Sequence, residues 1–212
     1  MPIDLPPAAL DALFVTLGYL AGALPMGVIV ARLSGAPDPR TVGSGRTGGT
    51  NALRAMGFRR AGLVALLDVL KGFIPAALAG QLGAGELGVA LTGIAATLGA
   101  WRSVFLSFHG GRGVATGIGA ALYIQPLAVL LGAPIFFGTI ILTRYVSAGS
   151  LLGTAAGAAL MGVFVWLGWN GWPALLFGLA GAAVVWIAHH DNIGRLLRGE
   201  ERRFDPFARG QR

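Results

Sequence analysis

The sequence has no cysteine, so disulfides, thiolate metal sites and a cysteine nucleophile are excluded at once. Charge is scarce too. Asp, Glu, Lys and Arg make up 12% of the 212 residues against 55% hydrophobic ones, a balance that excludes an ordinary soluble globule. Nothing between Arg144 and His189 is charged, and a helix needs only about 20 apolar residues to cross a bilayer, so that interval holds two crossings. The charge that exists is lopsided, with a net value of +7. Because the cations form no soluble face, anionic lipid head groups and anionic solutes are the expected partners, and nucleic acid is not. No H-E-x-x-H motif, carboxylate cluster or Cys/His spacing marks a metal, and no cofactor is expected. The first apolar run is preceded by Asp4 and by no Lys or Arg, with Asp11 near its start, the reverse of a secretory signal's basic start, and is read as a retained helix.

Charges and Pro/Gly turns divide the chain into seven apolar segments: Ala8–Leu33, Ala61–Leu82, Leu87–Phe108, Val114–Ile124, Leu127–Thr143, Ser150–Leu167 and Ala174–Ala188. The expected fold is an all-α polytopic membrane protein, one domain over residues 1–212. The 31 uncharged residues from Gly113 to Thr143 would make one helix of about 46 Å, too long for a core of about 30 Å. If Gln125-Pro126 is a turn there, fourteen of the sixteen cations fall on one side. These are Arg32, Arg40, Arg46, Arg54, Arg59, Arg60, Arg112, Arg144 and the six arginines from Arg195 to Arg212. The positive-inside rule then gives seven helices, with the N-terminus outside, the C-terminus in the cytoplasm and a short fourth span.

This topology gathers four polar segments on the cytoplasmic side. "VGSGRTGGTNALR" (42–54) matches G-x-G-x-x-G at Gly43, Gly45 and Gly48, but no strand precedes it, and Gly49 stands where a Walker loop needs lysine. Its backbone N–H groups, with Ser44, Thr50 and Arg54, suit an oxyanion; the plainer alternative is a flexible loop. "HGGRGVAT" repeats the pattern, with Gly110, Gly111 and Gly113 around Arg112 at the start of a helix. A helix N-terminus and an arginine fork both favour phosphate, while Gly113-x3-Gly117 alternatively serves helix packing. "TRYVS" and "HHDNIGRLLRGEE" complete the set.

Inside the second span, Asp68 and Lys71 share a face and either neutralise each other or line a substrate cavity. Arg102 snorkels to the interface. His189 and Asn192 share a helix face at the mouth of the last span, where a histidine suits proton transfer or the orientation of a hydroxyl. Ile193, Leu196 and Leu197 form a stripe opposite Arg195, Arg198, Arg202 and Arg203, as in an interfacial helix most of whose arginines face lipid head groups. Gly149, Gly153 and Gly157 read as a packing stripe, and Trp166, Trp169 and Trp172 as an aromatic belt.

These motifs, in this order, resemble the bacterial acyl-phosphate-dependent glycerol-3-phosphate acyltransferases over nearly the whole chain. "GYLAGALPMG" is similar to that family's first helix, "GSGRTGGTNALR" to its G-S-G-N-P-G-A-T-N-x-x-R, "DVLKG" to its second helix, "GGRGVAT" to its G-G-K-G-V-A-T, and the tail to its H-x-x-N-I-x-R-L-x-x-G-x-E. The resemblance implies an enzyme of the bacterial inner membrane. It would transfer a fatty acyl group from acyl phosphate to the 1-hydroxyl of glycerol 3-phosphate, giving lysophosphatidic acid and inorganic phosphate as the first acylation of phospholipid synthesis. The implied site faces the cytoplasm and the implied protein is a monomer among membrane lipids. By resemblance the chemistry falls to His189, Asn192 and Ser44. Substrate binding falls to Gly43, Gly45, Thr50, Asn51, Arg54, Lys71, Gly110, Gly111, Arg112, Gly113, Thr116, Arg144, Ser147 and Glu201. The chain departs from the pattern at Arg46-Thr47 (usually Asn-Pro), Gly49 (Ala), Arg112 (Lys), Ala100 (His) and Ala188 (Arg).

The rival reading is a transporter for a small anionic solute, which would place its site near the midplane between paired repeats. The polar motifs instead share one face, and no internal repeat is found. An H-x4-D acyltransferase motif and the multi-aspartate motif of CDP-alcohol phosphotransferases are both absent.

Overall fold

Proline and glycine punctuate this chain, and the helices begin and end where they stand. The computed structural model describes residues 5–204, so Asp4, Arg209 and Arg212 lie outside the described residues. The described residues form α1 (Pro7–Ala23), α2 (Met26–Leu33), α3 (Gly49–Met56), α4 (Phe58–Gln81), α5 (Glu86–Trp101), α6 (Val114–Ile124), α7 (Pro126–Thr143), α8 (Val146–Trp166), α9 (Trp172–Ala188) and α10 (His190–Leu197). Short 3-10 turns occupy Pro39–Thr41 and Val104–Leu106. Pro7, Pro126 and Pro173 sit in the first turns of α1, α7 and α9, where a missing N–H leaves no helical bond unmade.

All seven apolar segments are helical, but two differ from expectation. The expected single span Ala8–Leu33 breaks at Leu24-Pro25, and α2 leaves α1 at 48°. Pro25 drives Leu24 out of the helical region, to ψ 122°. Distant side chains take up the freed carbonyls: Lys71 Nζ donates to Leu24 O at 3.0 Å and Ser103 Oγ to Ala23 O at 2.6 Å. The third segment ends as an α-helix at Trp101 instead of reaching Phe108. At the far end of the chain, α10 turns away from α9 by 64°.

The long stretch after Gly113 does divide at Gln125-Pro126. Gln125 closes α6 and opens α7, its side chain accepting from Leu127 N at 3.3 Å. With 11 residues, α6 is about 16 Å long. Four helices are long and apolar enough to cross a membrane alone, and up to six do so if each bent pair is one span. Leu130, Phe137, Ile141 and Leu142 expose their side chains along α7, as a lipid-facing helix requires. Trp166, Trp169 and Trp172 are likewise exposed.

Contacts between neighbours set the directions. Gly18 meets Thr92 and Gly22 meets Ala96, so α1 runs parallel to α5. Gly72 meets Thr116 and Gly80 meets Tyr123, so α4 runs parallel to α6. In contrast, α8 is antiparallel to α7, with Gly149 and Gly153 against Phe136 and Ile140. At the third glycine of that stripe, Gly157, an added Cβ would meet nothing within 4 Å; α7 faces it with Gly132, whose own added Cβ would lie 3.9 Å from Gly157 N, and both border a groove. The alternation brings the loops after α2, α5, α7 and α9 to one end of the bundle.

The closest crossing joins α4 to α6. A Cβ added at Gly119 would lie 1.9 Å from Val69 O, and one at Gly72 would lie 2.0 Å from Thr116 O. In a bilayer no hydrophobic drive presses helices together, so such backbone contact carries the association. Gly119→Ala is expected to destabilise the detergent-solubilised protein by roughly 1–3 kcal/mol. Gly62→Ala, where a Cβ meets nothing within 4 Å, is expected to leave the melting temperature unchanged or slightly raised.

Candidate functional site

A polar cavity of about 250 Å³ opens at the loop-bearing end of the bundle. Two helices point their N-termini into it. Neither Gly48 before α3 nor Gly113 before α6 supplies a side-chain cap, so the first N–H groups of both helices face the cavity without intrahelical partners. Gly113 holds φ +78°, a conformation that a side chain would strain. The two glycine loops touch, since a Cβ at Gly111 would lie 3.5 Å from Thr47 Oγ1 and 3.9 Å from Gly48 N. Their expected convergence is therefore present.

Asn51 organises the first loop from a nearly buried position. Its Nδ2 donates to Arg46 O at 2.9 Å, Val42 O at 3.1 Å and Ser44 Oγ at 3.1 Å, while Oδ1 accepts from Arg54 Nη1 at 3.0 Å. Ser44, Thr50 and Arg54 line the cavity. Gly43 and Gly45, at φ +57° and +69°, shape the turn behind it. In the second loop, Gly110 N and Gly111 N donate to Trp101 O at 3.0 Å and Ala100 O at 2.8 Å, pinning the loop to the end of α5. Gly111, Arg112, Gly113 and Thr116 reach the cavity wall, whereas Gly110 stands behind it. Lys71 lines the floor, in contact with Asp68 at 2.8 Å. The pair neutralises itself, and both residues also lie on the cavity wall.

The tail closes the site. Arg112 Nη2 lies 3.1 Å from Asp191 Oδ2, Asp191 also takes Arg195 Nη2 at 3.2 Å, and Arg195 Nε reaches Glu201 Oε2 at 3.0 Å. Glu201 Oε1 accepts from Asn192 Nδ2 at 2.7 Å. Arg195 therefore belongs to the site, which corrects the expectation that it faces lipid head groups: two carboxylates within reach outcompete the interface for it. Burial opposes ionisation of Asp191, but Arg112 and Arg195 overcome it and hold the carboxyl below its ordinary range. Burial pulls Arg54 and Arg112 below the usual guanidinium range, so both are poorly solvated cations.

His189, just beyond α9, is 3% exposed, and its Nδ1 lies 2.8 Å from Val185 O. A carbonyl only accepts, so Nδ1 carries the hydrogen, and in the neutral ring Nε2 is left as an acceptor. Burial lowers the imidazole pKa to about 4, helped by Arg112, while the backbone bond to Val185, Asp191 and Glu201 act the other way. Four side-chain atoms lie buried without a partner among the described residues: Asp11 Oδ1 in α1 and, around the site, Arg112 Nε, Ser147 Oγ and Asn192 Oδ1. Arg112, Ser147 and Asn192 all line the cavity, and unmatched donors and acceptors of this kind call for a polar ligand.

Arg144 is not part of this arrangement. Its side chain is exposed at the end of α7, outside the cavity wall, and only its backbone is engaged, N donating to Ile140 O at 2.8 Å and O accepting from Phe204 N at 2.6 Å. Residues not anticipated from the sequence are Asp191, Arg46, Ser150 and Arg202. Only Asp191 carried a signal, its helical spacing of four from Arg195.

A second cavity, of about 390 Å³, continues from the first between α4, α6, α7, α8 and α9. The two share Ala65, Val114, Ala115, Ile118 and Phe136. Thr154 is the one polar side chain in the second wall, and its hydroxyl is taken up by Ser150 O at 2.7 Å. A charged chamber opening into an apolar groove fits a molecule with an anionic head and an aliphatic tail.

The chain matches the family model described as glycerol-3-phosphate acyltransferase over residues 12–199. It is 43% identical over 198 residues to the glycerol-3-phosphate acyltransferase of Anaeromyxobacter sp. (strain Fw109-5), covering 92% of this chain and 96% of that one. Against the Geobacter sulfurreducens protein of the same name it is 40% identical, with 92% and 97% covered. The crystal structure of PlsY (YgiH), an integral membrane glycerol 3-phosphate acyltransferase in its glycerol 3-phosphate form, superposes with a TM-score of 0.83 at 36% identity, covering 92% of this chain and 96% of that one. Its lysophosphatidic acid form gives 0.81 at 33% identity over the same shares.

The lowered pKa of His189 has a measurable sign. The unfolded chain binds a proton near pH 6.5 and the folded chain only near about 4, so the stability held above pH 6.5 is lost as pH falls through that window. The slope approaches about 1.4 kcal/mol per pH unit. His189→Gln is expected to flatten the fall in melting temperature between these values; an unchanged profile would mean that the imidazole is not buried in this way.

Proposed function

The chain belongs to the glycerol-3-phosphate acyltransferase family, and from that premise we propose that the polar cavity holds both reacting groups while the groove holds the acyl tail. The protein is an acyltransferase of glycerol 3-phosphate and a multi-pass membrane protein. Its donor is an acyl phosphate. The continuity of a cationic chamber with an apolar groove carries this reading, because an acyl phosphate has its anionic head directly on the reacting carbonyl and needs no room for a carrier.

In the reaction, the 1-hydroxyl oxygen of glycerol 3-phosphate bonds to the acyl carbonyl carbon. The bond from that carbon to the phosphate oxygen breaks, and phosphate leaves with the electron pair. Phosphate is a good leaving group, so a covalent acyl-enzyme is unnecessary and positioning supplies much of the rate. His189 Nε2 accepts the hydrogen bond of the incoming hydroxyl and so aims its oxygen. Asn192 and Glu201 hold the helix that carries this face, through the bond at 2.7 Å. A phosphate dianion, with a second pKa near about 6, is a stronger base than an imidazole at about 4, so the hydroxyl proton passes to substrate phosphate. The N-termini of α3 and α6, with Arg54 and Arg112, stabilise the charge that develops on the departing group. Ser44, Thr50, Lys71, Thr116 and Ser147 complete the walls; Gly43, Gly45, Gly110 and Asn51 hold the loops in shape. Arg144 serves at the membrane surface instead.

Seven crossings, with the N-terminus outside, put this cavity at the cytoplasmic face of the bacterial inner membrane, where glycerol 3-phosphate is available. The parallel pairs α1 with α5 and α4 with α6 support that parity, as does the positive-inside rule. The chain acts as a single domain and a monomer.

The test uses protein in lipid nanodiscs, with phosphate release measured from palmitoyl phosphate plus glycerol 3-phosphate. Palmitoyl-CoA replaces the donor in a parallel arm, and a vesicle flux assay for glycerol 3-phosphate runs beside them. Turnover with palmitoyl phosphate alone is expected, and His189→Ala is expected to lower kcat by at least about 100-fold at equal protein level. Turnover confined to the CoA donor, or flux without chemistry, would overturn the reading.

A further inference from the structure

Two cations that line the polar cavity, Arg46 and Arg202, have no task in the chemistry above, and Arg46 is the one carried on a glycine loop. Arg46 lines the cavity immediately after the left-handed Gly45. Its guanidinium has five N–H donors, of which one makes a single long hydrogen bond, Nη1 to Gly110 O at 3.5 Å. Among the described residues no carboxylate lies within ion-pair distance of it. Its neighbours are placed differently. Lys71 is engaged by Asp68 and by Leu24 O, and Arg112 by Asp191.

Arg46 and Arg112 stand on the two glycine loops that touch at Thr47 and Gly111. Each feels the other: the charge of Arg46 helps to lower the proton affinity of Arg112, and it also helps to keep Asp191 ionised. Two guanidinium groups thus approach one chamber, and the carboxylate of Asp191 pairs with only one of them. An oxyanion entering the chamber relieves that repulsion and meets donors that are already oriented, since a guanidinium fork matches phosphate bidentately. The motif quoted for the family carries a neutral asparagine at this position, so the feature belongs to this chain.

We propose that Arg46 is an additional phosphate anchor, gripping the phosphate of one of the two reactants together with the loop N–H groups and Arg112. The inference rests on the acyltransferase reading, and it assigns Arg46 to binding and not to the bond-making step. Removing a charge-assisted contact of this kind weakens binding by about tenfold or more.

The experiment uses the intact protein in lipid nanodiscs. Calorimetric titration with inorganic phosphate and with glycerol 3-phosphate is followed by KM and kcat for each substrate, for wild type, Arg46→Asn and Arg46→Lys. Arg46→Asn is expected to weaken inorganic phosphate about tenfold and to raise one KM by a similar factor with little change in kcat. Arg46→Lys is expected to recover part of the loss, since it restores the charge without the fork. A raised KM for glycerol 3-phosphate identifies the acceptor's phosphate as the ligand of Arg46, and a raised KM for palmitoyl phosphate identifies the donor's. Unchanged phosphate affinity with both KM values unchanged in Arg46→Asn would overturn the inference, as would a fall in kcat and melting temperature alone, the mark of a residue that only braces Gly110. Wild-type protein that turns over neither substrate pair overturns the acyltransferase reading itself. Wild-type turnover with an indifferent Arg46→Asn overturns this inference only.

Discussion

The contact between Arg112 and Asp191, at 3.1 Å, is the joint on which the site depends. It ties the loop that starts α6 to the helix that follows α9, two elements far apart in sequence. From Asp191 the network runs through Arg195 to Glu201 and from Glu201 to Asn192, which sits beside His189. A partly buried ion pair contributes little net stability, because desolvation offsets most of the Coulomb attraction. Its value here is geometric. It holds a guanidinium and a hydrogen-bond-accepting imidazole in one chamber, beside the partnerless buried atoms Arg112 Nε, Ser147 Oγ and Asn192 Oδ1.

A membrane sets the second constraint. Irregular backbone close to lipid must have its polar groups satisfied by protein or line a water-filled cavity. The break at Leu24-Pro25 obeys this through Lys71 and Ser103, and the Gly110-Gly111 turn obeys it through the carbonyls of Ala100 and Trp101. The uncapped N-termini of α3 and α6 obey it the other way, by lining the polar cavity, and they are the places where the proposed anion would be received. The apolar groove beyond them has the opposite character, as the proposed amphiphilic donor requires: its phosphate would stay away from lipid and its tail away from water.

Much of this was legible in the sequence because it depends on local composition. The two glycine–arginine loops, the pairing of Asp68 with Lys71, the short α6 and the turn at Gln125-Pro126 all follow from spacing, charge and the chemistry of glycine and proline. What was not legible depends on partners distant in the chain. Nothing near Asp191 indicates that Arg112 will meet it, and the apolar stripe of α10 gave Arg195 the look of a lipid-facing residue until Glu201 folded back onto it. The Gly149, Gly153, Gly157 stripe reads as uniform, but α7 side chains meet only its first two members, because opposite the third α7 carries Gly132 and the missing side chains leave a groove. The end of α1 at Leu24 was hidden for a similar reason: the break is stable only because Lys71, 47 residues away, supplies the missing donor.

The central claim is that backbone N–H groups at the starts of α3 and α6 bind substrate phosphate in one chamber. It is tested most directly by solid-state NMR of ¹⁵N-labelled protein in lipid, with dipolar recoupling from the ³¹P of bound glycerol 3-phosphate or of inorganic phosphate. The account predicts that ³¹P dephases backbone nitrogens of Gly49 or Thr50, of Val114 or Ala115, or of both sets. Bound phosphate that dephases none of them, and couples only to side chains outside these two loops, would contradict it.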